Sequence, residues 1–145
     1  MRLLLLAAAL LGVTLGAAAC TRHETSPELL ALRSDPMASY RPAGATLVNR
    51  SESSGGRTLG KPVRGSIVQR YQIDADADPR LVRDAAVTAA EQAGWAFFAS
   101  GDIASATRTI AGSEMTLSVE VRSEGGTPYL NVVLLAEAGT PPATG

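Results

Sequence analysis

The sequence predicts an α+β fold, a two-layer sandwich in which one main helix packs on one face of an antiparallel sheet. Residues 115–122 alternate between apolar and polar side chains, which is typical of a strand with one buried and one wet face. Residues 129–136 are almost wholly apolar, as in a central strand. Residues 79–93 follow a capping aspartate, Asp78, and end at Gly94, which are ordinary helix start and stop signals.

The remaining strands are predicted in chain order from shorter patterns. Residues 66–73 alternate as a half-buried strand, residues 95–99 form a short aromatic strand, and residues 104–110 form a weaker strand rich in threonine. The order is then a strand, a helix and a meander of four strands. Since the loops between the last four strands are short, these strands should be antiparallel neighbours, with the helix crossing one face.

The predicted helix has a narrow face of small side chains, which would let it lie close on the sheet. The residues of that face are Val82, Ala85, Ala86, Ala89 and Ala93. The core beneath the helix is predicted to contain Tyr71, Trp95, Phe97, Tyr129 and the leucines between 130 and 135.

The chain before residue 63 is predicted to be a tether. Ser26-Pro27 and Asp35-Pro36 each place a capping side chain before a proline, which indicates short helical turns. Residues 42–65 are rich in glycine, proline and serine, and indicate a long loop in which only residues 45–49 look like a strand, at an edge of the sheet. The expected organisation is a signal peptide at 1–19, a tether at 20–62, an α+β domain at 63–138 and a disordered tail at 139–145.

The first twenty residues have the pattern of a secretory signal. Arg2 precedes an unbroken apolar run, and small residues stand before Cys20, the one cysteine of the chain. This arrangement resembles the lipobox of bacterial lipoproteins, which implies cleavage between Ala19 and Cys20 and lipidation of Cys20. Two other interpretations stay open: an ordinary cleaved signal that leaves a free thiol, and an uncleaved anchor, since residues 3–19 are at the short limit for spanning a bilayer.

A second resemblance covers most of the chain after Cys20. Residues 29–37 (LLALRSDPM), 60–62 (GKP) and 93–95 (AGW) look like segments of small uncharacterised lipoproteins and membrane proteins of high-GC actinobacteria. These segments are of the kind that begin or end helices and turns, so the resemblance implies location and fold. It implies no activity.

Composition argues against several functional classes. Without residues 1–19 the chain has 126 residues, 12 of them basic and 14 acidic. This near balance of charge does not indicate a nucleic-acid-binding surface. There is no Gly-x-Ser-x-Gly motif, and the one histidine, His23, lies close to the expected lipidated terminus. With one cysteine and one histidine, the chain also lacks the usual zinc ligands. We therefore expect no enzyme, no cofactor and no metal site.

The acidic stretch Asp74-x-Asp76-x-Asp78 opens like a calcium loop. An EF-hand loop needs glycine at position six and glutamate at position twelve, where this chain has Pro79 and Ala85. Acids before a helix are favoured by the helix dipole in any case. The pattern therefore favours a helix cap.

Two aromatic residues, Trp95 and Phe98, are candidate contacts for a partner or ligand. Strand alternation sends Trp95 and Phe97 to one side and Phe98 to the other. Phe98 then either packs under residues 42–65 or is exposed, in which case it marks a contact with a partner or with lipid.

These observations together lead to one expected function and one alternative. We expect a lipoprotein anchored on the extracytoplasmic face of the cell membrane through Cys20, with a small non-enzymatic domain that binds an envelope protein. The alternative is a carrier or sensor of a small apolar ligand held between helix and sheet. A third and lesser possibility is a hydrolase built on two carboxylates, which the sequence alone does not exclude.

Overall fold

The computed structural model describes residues 25–58 and 61–137, and within these it contains two α-helices, a 3₁₀ helix and six strands. In chain order they are α1 (Pro27–Ser34), the 3₁₀ helix (Pro36–Ser39), β1 (Ala45–Thr58), β2 (Lys61–Ile73), α2 (Pro79–Gln92), β3 (Ala96–Ser100), β4 (Ile103–Ile110), β5 (Ser113–Glu124) and β6 (Thr127–Ala136).

The strands form one antiparallel sheet in the order β1-β2-β6-β5-β4-β3. The pairing of β2 with β6, from Ser66–Leu135 to Gln72–Tyr129, joins the two halves of the chain. The predicted α+β class is confirmed. The prediction of one strand plus a four-strand meander is wrong in the number of strands, because β1 adds a sixth strand to the sheet. Strands β3 to β6 pair in chain order and antiparallel, as expected from their short loops.

The predicted loop at residues 42–65 is largely strand. Of its described residues, all but the first three belong to β1 and β2, which form a long hairpin with pairing out to Thr58–Lys61. The part of β1 after Asn49 was not predicted because its helix-facing positions are polar: Arg50, Glu52 and Ser54 stand opposite Gln69, Ile67 and Gly65. Arg50 donates to the carbonyl oxygen of Ala38, Glu52 pairs with Arg33, and Ser54 accepts from Ser26 through its backbone carbonyl oxygen. The alternation of apolar residues that indicates a strand is therefore missing.

The predicted helix starts are confirmed. Ser26 caps α1 and its Oγ accepts a hydrogen bond from the N–H of Leu29 at 3.2 Å. Asp78 caps α2 by accepting from the N–H of Arg80 at 2.8 Å, with proline at the first helical position. Asp35 starts the 3₁₀ helix in the same way. We call residues 26–39, which contain α1 and the 3₁₀ helix, the N-terminal arm.

The core lies between one face of the sheet and the layer formed by the N-terminal arm and α2. Its fully buried members on the sheet include Ile67, Tyr71, Met115, Leu117, Val119, Leu130, Val132 and Leu134. The arm contributes Leu29, Leu32, Met37 and Ala38, and α2 contributes Val82, Ala86 and Ala90. Trp95 is buried and Phe97 packs against the core, as predicted.

Three residues that were predicted to face the core point away from it, because the inward-facing positions of α2 and β6 are offset from the predicted ones. Ala85 is exposed, because the inner face of α2 follows the i, i+4, i+8 positions 82, 86 and 90. On β6 the buried positions are even-numbered, so Tyr129 and Leu135 point away from the helices. An almost continuous apolar run does not reveal which alternate residues face the core.

Gly55 lets the β1–β2 hairpin close. Its φ is +72°, and a Cβ at this position would stand 2.6 Å from the backbone N of Gly65 and 2.8 Å from the carbonyl oxygen of Val63. Both obstacles are backbone atoms, so only movement of β2 would make room. Gly112, in the β4–β5 turn, has a similar φ of +81° but nothing within 4 Å of its would-be Cβ.

We expect Gly55→Ala to destabilise the protein much more than Gly112→Ala. The positive φ alone costs an alanine about 1–2 kcal/mol, which is the whole effect expected at position 112. At position 55 the backbone overlap adds about 1–3 kcal/mol. Urea unfolding followed by the fluorescence of Trp95, the one tryptophan of the chain, measures both. Equal losses for the two variants would show that the overlap is relieved without cost.

Candidate functional site

The face of the sheet opposite the helices is covered by no element within residues 25–58 and 61–137. We call it the open face. Its side chains come from alternate positions of the four central strands: Ser66, Val68, Arg70 and Gln72 of β2, Tyr129, Asn131, Val133 and Leu135 of β6, Thr116, Ser118, Glu120 and Arg122 of β5, and Ser105 and Thr107 of β4.

One half of the open face is formed by small and hydroxyl-bearing side chains. Val68, Val133, Ser118 and Ser105 stand in one row across the strands. Leu135 belongs to the adjacent row, between serine and threonine residues. This half of the face is therefore low in relief, mildly apolar at its centre and rich in hydroxyl groups. A surface of this kind suits contact with another flat protein surface, where a small apolar centre is surrounded by polar groups.

The other half of the open face carries paired charges. Arg70 contacts Glu124 at 2.6 Å and lies over the ring of Tyr129, 3.9 Å from its centroid. The hydrogen bond from Arg70 lowers the pKa of Glu124, and the pKa of Arg70 is raised by the same bond. Arg122 pairs with Glu120 at 2.9 Å. The charges are thus held in fixed places beside the apolar rows.

The two aromatic residues predicted as contacts lie in different environments. Phe98 is 67% exposed, beside an irregularity in the pairing of β3 with β4 between Phe97 and Ala99. Since β3 and β1 are the opposite edges of the sheet, the alternative that Phe98 packs under residues 42–65 is wrong. Trp95 is only 3% exposed, so it is not a surface residue in this fold.

Trp95 instead belongs to a buried polar cluster centred on Asp35. The Asp35 carboxylate is fully buried and accepts hydrogen bonds from the N–H of Met37 at 2.8 Å and from the indole Nε1 of Trp95 at 3.2 Å. Its other oxygen accepts from Nη1 of Arg108 at 2.6 Å. The sequence indicated Asp35 only as a cap, because its partner on β4 is 73 residues away.

Arg108 also lines an open depression of about 420 Å³ at the edge of the sheet. The other lining residues are Gly94, Ala96, Thr107, Thr109 and Glu114. The charge of Arg108 is balanced by Asp35, and Glu114 adds a negative charge to the wall. This depression is therefore not an anion site, and the role of Arg108 is to hold the N-terminal arm.

Further polar contacts attach the arm to β1 and β2. The Glu52 carboxylate accepts hydrogen bonds from Arg33 at 2.7 Å and from Arg50 at 2.5 Å. These hydrogen bonds lower the pKa of Glu52, and the one from Arg50 has the larger effect. Gln69 is buried and donates through Nε2 to the carbonyl oxygen of Met37 at 2.8 Å. The hydroxyl of Tyr71 donates to the carbonyl oxygen of Tyr40 at 2.6 Å, and burial raises its pKa. The helix side of the sheet is thus closed by apolar packing and by directed polar contacts.

The remaining predicted positions carry no assembled site. Asp78 caps α2, and within the described ranges no three acidic, cysteine or histidine side chains come together in a possible metal site. Neither helix in that part of the chain is long and apolar enough to cross a membrane. Ala19, Cys20 and His23 lie outside the described residues.

No protein-family model, curated protein or solved structure matches the chain in comparisons with known proteins.

We expect Asp35→Asn to lower the free energy of unfolding by about 3 kcal/mol, as for breaking a buried ion pair. An asparagine turns one carboxylate oxygen into an N–H group, which faces the donors of Trp95 or Arg108 instead of accepting from them. A double-mutant cycle with Arg108→Gln should give a coupling of about 1–3 kcal/mol. Urea unfolding of the four proteins measures it.

The matched control is the exposed pair of Arg33 and Glu52. Glu52→Gln should cost no more than about 1 kcal/mol, because exposed ion pairs contribute little. If Asp35→Asn cost no more than this control, the cluster would not be what attaches the arm to the sheet.

Proposed function

We propose that this protein is an exported lipoprotein, anchored through Cys20 to the extracytoplasmic face of the cell membrane, whose domain binds an envelope protein through the open face. The anchor rests on the signal-like sequence before Cys20 and on the absence of any other cysteine. Two acyl chains on one cysteine are enough for stable attachment to a bilayer.

The observation that carries the binding role is the difference between the two faces of the sheet. The helix side is closed by the core and by the Asp35 cluster. The open face has no cover within the described residues, although Val68, Val133 and Leu135 lie near its centre. A protein partner that buries these side chains would cover the open face. The exposed ring of Phe98 lies at the β3 edge of the sheet.

The alternative of a small-ligand carrier lacks such support. A carrier needs an apolar cavity between α2 and the sheet, whereas the depression described above lies at the sheet edge and is lined by Arg108, Glu114 and two threonines. The small inner residues of α2, Ala86 and Ala90, suit close approach of the helix to the sheet. We also propose that the domain is not an enzyme. The fully buried carboxylate of Asp35 already accepts hydrogen bonds from three donors, so it is not free to act on a substrate.

We expect the protein in the membrane fraction to begin at Cys20 and to carry added lipid mass. Cys20→Ser should lose the lipid and leave the membrane fraction, because no thiol remains to be acylated. Intact mass spectrometry of both proteins after fractionation of the producing cells decides this. A chain that begins at Cys20 without lipid, or one that keeps residues 1–19, would contradict the anchor.

We expect a photoreactive amino acid at Ser118, in the middle of the open face, to form a defined adduct with one envelope protein in living cells. The matched control is Leu81, which is 68% exposed on the outer side of α2 and should form no such adduct. Ser118→Arg should weaken binding to that protein at least tenfold, about 1.4 kcal/mol. Its effect on stability should stay within about 0.5 kcal/mol, as for other surface changes.

Adducts of equal yield at Ser118 and Leu81 would contradict binding through the open face. A partner captured only at Leu81 would place the binding surface on the helix layer instead.

A further inference from the structure

The start of α1 cannot lie far from the anchored cysteine. Cys20 and Ser26 are six residues apart, and a chain spans at most about 3.6 Å per residue. Their Cα atoms are therefore at most about 22 Å apart, whatever conformation the intervening residues adopt. If Cys20 is held at the bilayer surface, this distance limits how the domain can be oriented.

The start of α1 is attached to one particular end of the sheet. The hydroxyl of Ser26 donates a hydrogen bond to the carbonyl oxygen of Ser54 on β1. The Cβ of Glu28 stands 3.6 Å from the position that a Cβ on Gly65 of β2 would take. We call this end, formed by residues 54–58 and 61–65 with the start of α1, the hairpin end.

In an upright orientation, the opposite end of the sheet cannot be the end that faces the membrane while the arm is docked. Between Gly65 and Ile73, β2 advances eight residues, about 26 Å at the usual rise of a strand. The far end carries Asp74, Asp76 and Asp78 and the β5–β6 turn at Gly125. Bringing this end to the bilayer in an upright orientation would place Ser26 about 26 Å from the surface, which exceeds the 22 Å available.

The hairpin itself extends beyond the start of α1, in the direction away from the far end. Its pairing continues four residues beyond Ser54–Gly65, to Thr58–Lys61, which adds about 13 Å. With the tether fully stretched, the paired strands would still end within about 9 Å of the surface to which Cys20 is fixed.

The distribution of charge along the sequence agrees with this orientation. In the sequence of the hairpin end, Arg57, Lys61 and Arg64 are basic and Glu28 is acidic, and Arg64 pairs with Glu137 at 3.8 Å. The far end carries Asp74, Asp76 and Asp78, and its Arg70 is paired with Glu124. Anionic headgroups therefore attract the hairpin end more than the far end. Such a charge gradient orients a domain that is already anchored, and it need not supply the anchoring itself.

We propose that the hairpin end lies against the anionic headgroups of the membrane, so that the sheet stands upright with its open face accessible from the side. This proposal rests on the anchoring through Cys20 proposed above. It assigns to the domain a second surface, the lipid-facing hairpin end, which is separate from the open face.

The test measures the distance of individual amides from a bilayer. The chain that begins at Cys20 is coupled through its thiol to a maleimide lipid in nanodiscs of phosphatidylglycerol and phosphatidylcholine that also contain a headgroup-labelled nitroxide lipid. We expect the amide signals of Gly55 and Val63 to lose at least half their intensity. Those of Asp76 and Gly125 should stay within a tenth of their intensity in nanodiscs without nitroxide. Equal losses at both ends, or the largest loss at Ser118 on the open face, would overturn the proposal.

Two controls test separately whether the short tether causes the orientation and whether the result depends on lipidation of Cys20 in cells. A variant with twelve Gly/Ser residues inserted after Thr21 should lose most of the difference between the two ends, because the reach of the tether triples. An unchanged difference would show that the short tether is not its cause. The chemical coupling imposes the anchor, so orientation is tested even if intact mass shows that cells do not lipidate Cys20. A failed orientation and a failed anchor thus give different results.

Discussion

The rest of this structure depends on the buried carboxylate of Asp35. It joins the N-terminal arm to Trp95, just before β3, and to Arg108 on β4, residues 60 and 73 positions later in the chain. A buried carboxylate is costly unless every partner is in place. The cluster therefore favours the one position of the arm in which all three hydrogen bonds form over positions in which the arm makes only apolar contacts with the sheet. The apolar side chains of the arm, Leu29, Leu32 and Met37, add about 1.5–3 kcal/mol each.

The docked arm would limit how the proposed lipid anchor acts on the domain. With the arm attached, Ser26 is six positions along the chain from Cys20. Release of residues 26–39 would add fourteen residues, about 50 Å of reach, and the domain could then take any orientation. If Cys20 is anchored as proposed, the contacts of Asp35 that close the core also limit which end of the sheet can lie near the membrane.

Much of the fold was predictable from local patterns, and the failures share a physical cause. The caps at Ser26, Asp35 and Asp78 were identified because capping needs only neighbouring residues. Strand β1 was predicted only over its first five residues, because farther along Arg50 and Glu52 contact the helix layer through polar groups. The phase of β6 was missed because its apolar run has no alternation. The partners of Asp35 and the exposure of Phe98 depend on which strands are neighbours, and a single sequence does not contain that information.

The edges of the sheet are less suited to a protein partner than the open face proposed for binding. Strand β1 has a pairing irregularity between Leu47 and Asn49, and farther along it carries the ion pair of Arg50 and Glu52. Strand β3 has five residues and its own irregularity beside Phe98. Short strands, irregular pairing and charges all hinder the addition of another strand. The open face has regular pairing and small side chains at its centre, so it can be covered without a change in the backbone.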